Sequence, residues 1–426
     1  MNIAILFISM IVLIMIGVPI GYSIGVATLI TLVTTSNIPL LLITQKAFTG
    51  VDSFPLMAIP FFILAGVLMT HGGIAKRMLD LVQIFVARIT GSRGIVAIVS
   101  CMLFSAVSGS ALATTSAIGS FMIPSMKEKE YDIGIAAAIV GAAGTVGVIL
   151  PPSIPLVIYG VVTGTSIGDL FIAGIVPGVL MTVALVVAFY IVAKKKGYEG
   201  EESVITLRSV GTAFRRAIWA LICPLIVLGG IYGGVFTPTE AAVVAVVYAL
   251  LIGAFIYREL TLKKIYQALL EAMILNGIIV FIVGLSTGFA VYLSLSRIPA
   301  MVCEWMLGIT DNRILLLLII NVFLLVFGTF MDNIPATIIL SPILLPVVMD
   351  VGMSPVTFGL VITFNLAIGF VTPPYGQNLF ISASIAGIAV DTVFVKVVPY
   401  ILALLVVLML ITYVDGATMF LVGMMR

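Results

Sequence analysis

Apolar residues in this chain run in unbroken blocks long enough to cross a bilayer, and that feature alone excludes most folds. Residues 3–16, continuing through 20–33, then 171–193, 241–256, 314–327 and 400–412, are such blocks. Many approach the roughly 17–25 residues that span a bilayer core as helix. In lipid every backbone polar group must be satisfied internally, which leaves helices or closed barrels, and continuous apolar runs lack the alternation of a barrel. The composition agrees: 62% of the 426 residues are hydrophobic and 9% charged, where a soluble domain carries roughly 25% charge. The sequence therefore predicts an all-α polytopic membrane protein.

Several classes fall away at once. Cys101, Cys223 and Cys303 are scattered and the chain has one histidine, His71, so neither a disulfide framework nor a metal or redox cluster can be built. No G-x-x-x-x-G-K loop is present, so nucleotide hydrolysis is not the driver. An enzyme is not expected. Met1-Asn2-Ile3 carries no basic n-region and no cleavage site follows, which reads as a retained first helix. Lys194, Lys195, Lys196, Arg208, Arg215 and Arg216, with Glu199, Glu201 and Glu202, form a polar stretch expected in the cytoplasm. An interfacial helix is expected at 210–220, and the polar patch 257–264 suits the interface as well.

The chain repeats itself. At an offset of 222 residues, Gly147-Val148-Ile149-Leu150-Pro151-Pro152 falls on Gly369-Phe370-Val371-Thr372-Pro373-Pro374. The same offset places Gly66 on Gly288, Asp169 on Asp391 and Val176-Pro177 on Val398-Pro399; with one residue of slip, Ala113-Thr114 falls on Ala336-Thr337. These two are the only double prolines. The first repeat ends by running 171–193 into the lysine cluster, whereas the second ends in a tail with one basic residue, Arg426. Their ends thus lie on opposite sides, the inverted-topology arrangement of secondary transporters, whose sites sit between the repeats.

Two kinds of break interrupt each repeat. The segment 104–116, rich in hydroxyls and small residues, and its counterpart Gly328-Thr329-Phe330-Met331-Asp332-Asn333-Ile334-Pro335 are poor continuous helices and read as re-entrant hairpins. The Gly-x-x-x-Pro-Pro elements free carbonyls that, with nearby hydroxyls, form a hard-oxygen set suited to sodium. Opposing half-helix N-termini suit a substrate carboxylate. Ser108-Gly109-Ser110 lies beside these breaks; single hydroxyls in membrane helices also serve as helix–helix glue. Asp332, in an apolar stretch, reads as an ion or substrate ligand or as a buried structural partner. With Asn333, Thr114 and Ser153 it completes the candidate substrate contacts. Asp169 and Asp391 precede apolar helices and read as N-caps; His71, before Gly72-Gly73, reads as interfacial.

An ordered set of motifs carries a family resemblance: Gly17-Val18-Pro19-Ile20-Gly21, Phe54-Pro55-Leu56-Met57-Ala58-Ile59-Pro60-Phe61-Phe62, Val107-Ser108-Gly109-Ser110, Leu150-Pro151-Pro152-Ser153 and Gly234-Val235-Phe236-Thr237-Pro238-Thr239-Glu240-Ala241-Ala242. Over nearly its full length the chain resembles the large membrane subunit of tripartite ATP-independent periplasmic (TRAP) transporters. The resemblance implies a sodium-driven elevator in the bacterial inner membrane that imports an organic acid: a C4-dicarboxylate, sialic acid or a sugar acid. It implies two Na+ sites, the first at Ser108, Ser110, Gly147, Leu150 and Pro152, the second at Gly328, Gly369, Thr372 and Tyr375. Tyr375 stands where a Met is expected, which a backbone ligand would tolerate. Glu240 is expected to be a scaffold or partner contact. Implied partners are a small four-helix membrane subunit, expected as a separate polypeptide, and a periplasmic substrate-binding protein.

The expected organisation is N-terminal scaffold helices at 1–52 and a first transport repeat at 53–193 with its hairpin at about 100–125. A linker with scaffold helices at 194–265 and a second repeat at 266–426, with its hairpin at about 328–350, complete it. The rival reading is a stand-alone sodium–dicarboxylate carrier, whose usual Ser-Asn-Thr motif is missing here.

Overall fold

A computed structural model describes residues 2–35, 38–200, 207–310, 312–374 and 376–425. Among them are twenty α-helices, seven long and apolar enough to cross a membrane. The chain opens with α1 (Asn2–Met15), α2 (Ile20–Thr35) and α3 (Leu40–Thr49), then a 3-10 turn (Phe54–Met57) leading into α4 (Ala58–His71). An amphipathic α5 (Ile74–Val86) connects α4 to the first hairpin, α6 (Ser92–Ser108) and α7 (Ala111–Glu128). Next come α8 (Ile133–Gly144), a 3-10 turn (Thr145–Val148), α9 (Ile154–Thr163) and the 30-residue α10 (Ile167–Lys196).

After the linker, α11 (Leu207–Tyr232) and α12 (Pro238–Leu251), the latter closed by a π turn (Ile252–Ile256), precede the 34-residue α13 (Leu262–Leu295). The short α14 (Ile298–Ile309) leads to the second hairpin, α15 (Arg313–Gly328) and α16 (Asn333–Asp350). The chain closes with α17 (Pro355–Gly369), α18 (Gln377–Ala386), α19 (Val390–Tyr413) and α20 (Gly416–Met425).

The repeat is visible helix by helix. The inner hairpin arms α7 and α16 begin and end 222 residues apart, as do the starts of α8 and α17. The one-residue slip expected in the hairpin does not occur: Ser110 and Asp332 occupy the same N-cap position. The connecting helices α5 and α14 match as well, each entered through a left-handed residue, Gly73 at φ +75° and Arg297 at φ +54°.

Contacts to α19 fix the sense of the two halves. α8 starts beside the start of α19, where the Asp132 carboxylate pairs with Lys396 at 3.2 Å. Its repeat mate α17 starts beside the chain just past the end of α19, where Thr357 and Thr418 hydroxyls lie 2.9 Å apart. The two mates run oppositely along one helix, so the repeats are inverted. α10 and α19 are antiparallel in turn: Tyr198, just past the end of α10, and Lys396, near the start of α19, both meet Asp132, and Phe189 stacks on Tyr400 at the middle of α19. The halves also interlock: α7 packs on α18 of the other half, and α16 on α9.

Local chemistry explains most ends. Asp132 caps α8 by accepting from Gly134 and Ile135 amides at 2.9 and 3.1 Å. Partial burial by itself would raise this carboxyl; the amides of Ile135 and Gly134 and the Lys396 ammonium outweigh it and hold the group below the usual range. Tyr198 folds back over this corner, stacked on Tyr131, its hydroxyl oxygen accepting from the Asp132 amide at 3.0 Å. Thr237 and Glu240 close a capping box at α12, so Glu240 serves its own helix.

Two expectations are corrected. α10 is capped by Ser166, which places Asp169 inside the first turn, and Ala389 occupies the cap of α19, with Asp391 again inside. Residues 210–220 do not form a separate interfacial helix; they belong to the continuous α11, whose Pro224 is carried within a 26-residue helix. At the end of α4, His71 meets Glu271 of α13 at 3.2 Å.

Candidate functional site

Each half builds a crossing of two broken helices. In the first, α6 ends at Ser108, Gly109 turns left-handed at φ +63°, and Ser110 caps α7, accepting from the Ala113 amide at 3.4 Å. The Ser108 and Thr114 hydroxyls bond across the tip at 2.9 Å. Behind it, the chain leaves α8 through the 3-10 turn and Pro151-Pro152, and Ser153 caps α9. Ser153 also donates to the Val148 carbonyl at 2.5 Å. The two breaks touch, because the Ile154 amide donates to the Gly109 carbonyl at 3.2 Å.

Close approach explains Gly147. A methyl there would sit 2.6 Å from the Ser110 carbonyl oxygen and 2.9 Å from the Thr114 hydroxyl. Ser108, Ser110, Gly147, Pro152, Thr114 and Ser153 therefore gather at one crossing. Leu150 belongs to the same break by its backbone, while its side chain lies against Gly178 of α10.

The second crossing is built differently. α15 ends at Gly328, residues 329–331 turn, and Asp332 occupies the cap of α16. The Asp332 carboxylate lies against the first amides of α16 without closing a cap hydrogen bond. Gly369 backs directly onto Gly328, whose carbonyl a methyl at Gly369 would overlap. Thr372 donates to the Ile368 carbonyl at 2.7 Å, leaving its lone pairs as acceptors. Asn333 turns away, its carboxamide held between the Thr363 carbonyl at 3.4 Å and the Thr337 hydroxyl at 3.0 Å. Tyr375 lies outside the described residues.

A cavity of about 570 Å³ opens between the second crossing and the N-terminal helices, walled by Asp332, Phe330, Pro374 and Gln377 on one side. Gly17-Val18-Pro19, between α1 and α2, and Ile282 of α13 form the other. Thus Asp332 faces the cavity while its neighbour Asn333 does not. Gln377 and the role of the Gly17–Val18–Pro19 turn escaped the sequence reading; a polar residue three positions beyond a double proline is the available signal. Among the described residues no group of three or more His, Cys, Asp or Glu side chains could hold a metal ion. Among the described residues, the two expected cation sites offer carbonyl and hydroxyl oxygens, a hard neutral set that fits a monovalent cation and not a soft metal.

Inverted repeats, paired helix breaks and a cavity between them and flanking helices define a multi-pass secondary-transport fold. A solved structure of the Alcanivorax borkumensis YdaH transporter, described as having an unusual topology, shares this fold at a TM-score of 0.64. It is 14% identical and covers 87% of each chain. Residues 7–417 match the family model for the tripartite ATP-independent periplasmic transporter, DctM component, and the chain belongs to that family. It is 37% identical to the C4-dicarboxylate TRAP transporter large permease protein DctM of Rhodobacter capsulatus, covering 98% of each. It is 45% identical to the isethionate TRAP transporter permease protein DctMQ of Oleidesulfovibrio alaskensis, covering 96% of this chain and 64% of that longer protein. The sialic acid TRAP transporter permease protein SiaT of Haemophilus influenzae is 37% identical over 94% of the chain, which spans 65% of it. The protein is an inner-membrane transporter permease and not an enzyme.

Proposed function

We propose that this chain is the large permease subunit of a sodium-coupled importer of organic acids, fed by a periplasmic binding protein. The observation that carries this reading is the cavity between the second crossing and α1, α2 and α13, with Asp332 on its wall. The relatives are named for isethionate, C4-dicarboxylates, sialic acid and 2,3-diketo-L-gulonate, all organic acids. Ser108, Ser110, Gly147, Leu150 and Pro152 would hold one sodium ion, and Gly328, Gly369, Thr372 and Tyr375 a second. Bound there, the cations supply positive charge beside the cavity, which lowers the cost of an anion entering the membrane. The N-termini of α16 and α18 add partial positive charge on the cavity side.

In this reading the hairpins and broken helices move as a unit past α1–α4 and α11–α13, carrying the site between the two faces. Asp332 orients the substrate; Thr114 and Ser153 keep the first crossing in register. The small membrane subunit completes the static part.

The deciding experiment is uptake into proteoliposomes containing this chain and its small membrane partner. A panel of the four acids would be tested with and without an inward sodium gradient and the periplasmic binding protein. Uptake that needs both supports the proposal. Uptake by this chain alone, indifferent to any binding protein, would overturn it in favour of a stand-alone sodium–dicarboxylate carrier.

A further inference from the structure

Behind the second crossing runs a chain of buried amides that the first half lacks. Asn365 of α17 donates to the Asn321 carboxamide oxygen of α15 at 2.8 Å, and Asn321 donates to the Thr412 hydroxyl of α19 at 3.1 Å. Thr412 passes its proton donor on to the Leu408 carbonyl at 2.8 Å, and Asn365 also reaches the Val361 carbonyl at 2.8 Å. All three side chains are 0% exposed. At the equivalent positions the first half carries Val99 and Ala143, so the repeat fold itself does not need these amides.

Burying two carboxamides is costly unless they are bonded, and the Asn365 carboxamide oxygen has no partner among the described residues. The bonded links of the network, Asn365 to Asn321 and Asn321 to Thr412, tie together the helices they join. Here it joins α15, α17 and α19 immediately ahead of the ends that form the crossing. Asn321 precedes Gly328 by about two helical turns, and Asn365 precedes Gly369 by about one. The fit is tight: a methyl at Gly328 would lie 3.2 Å from the Leu366 Cα and 3.6 Å from the Asn365 carbonyl oxygen.

We infer that Asn321, Asn365 and Thr412 are positioning residues for the second cation site, holding the Gly328 and Gly369 carbonyls at a fixed separation. The inference rests on the sodium-coupled reading above. The network touches neither cation nor substrate; it acts through the two glycine-ended helices. The first crossing, held by the Ser108–Thr114 hydroxyl pair at its tip, is set independently.

The test is sodium dependence of uptake in the reconstituted complex for Asn365→Ala and Asn321→Val, which install the first-half residues, and for the near-isosteric Thr412→Val. Half-saturating sodium should rise about tenfold or more in the first two, the usual loss when an outer partner of a metal ligand is removed. Substrate KM at saturating sodium should stay within about twofold, a split that a general loss of folded protein would not produce. Thr412→Val should move half-saturation in the same direction, and it decides the matter if the Asn variants fail to insert. Sodium curves that superpose on a sodium-dependent wild type, with only the maximal rate reduced, would overturn this inference alone. A wild type indifferent to sodium would overturn both this inference and the function proposed above.

Discussion

At the scale of single residues, the crossings are set by what is missing from glycine. Gly147→Ala places a methyl 2.6 Å from backbone that cannot swing aside, and overpacking of this kind costs about 1–3 kcal/mol. We expect a lower melting point in detergent and loss of uptake. Gly277→Ala on α13 has nothing within 4 Å and should gain about 0.5–1 kcal/mol of helix stability; equal melting shifts for the two would refute the close-approach argument. Asp132 offers a second measurement. Asp132→Ala removes a cap worth about 1 kcal/mol, whereas Asp132→Asn keeps an acceptor and loses a partly exposed ion pair worth about 0.2–1 kcal/mol. Because the folded carboxyl titrates below its ordinary value, that ion-pair increment is present above about pH 3.9 and fades as pH falls through the folded value. Melting curves of the wild type and Asp132→Asn should therefore differ at neutral pH and converge in acid.

At the scale of elements, both double prolines and both hydroxyl- or acid-bearing hairpin tips were legible, because proline and intramembrane polarity are local signals. Asp169 and Asp391 were misread as caps because a carboxylate in the first turn satisfies the same dipole as one at the cap, and spacing does not separate the two. Charge clustering suggested an interfacial helix at 210–220, yet the apolar run beyond it extends α11 through Pro224. The paired entry residues Gly73 and Arg297 went unnoticed, since a left-handed arginine leaves no mark in sequence. Arg297 at φ +54° carries a penalty of about 1–2 kcal/mol relative to right-handed backbone. Arg297→Gly should accordingly raise the melting point, and a lower one would show that the arginine side chain earns its place through other contacts. The amide chain through Asn321 and Asn365 could have been found by asking why polar residues interrupt apolar blocks; which helices they join could not, because the partners are 44 and 91 positions away.

For the molecule as a whole, the inverted repeat was readable from offset and charge, but the interlock was not. α7 packs on α18, and α16 on α9, pairs that no local pattern announces. One prediction belongs here: fragments divided within the linker at 201–206 should each be unstable alone and should co-purify when produced together. Two separately soluble, monodisperse halves in detergent would contradict it. The interlock also sets an order of events on the ribosome. When the second hairpin is made, its counterpart α9 already stands in the membrane, so α16 meets a finished surface. The first hairpin has no such help: α7 must wait for α18, more than 240 residues later, or roughly 10–50 seconds of synthesis. During that interval the faces of α7 and α8 that α18 will cover, around Gly119 and Gly141, lie against lipid or an insertase instead of protein. The first half of this transporter is therefore the half most exposed to quality control, and slow codons or a missing insertase should be felt there before they are felt in the second.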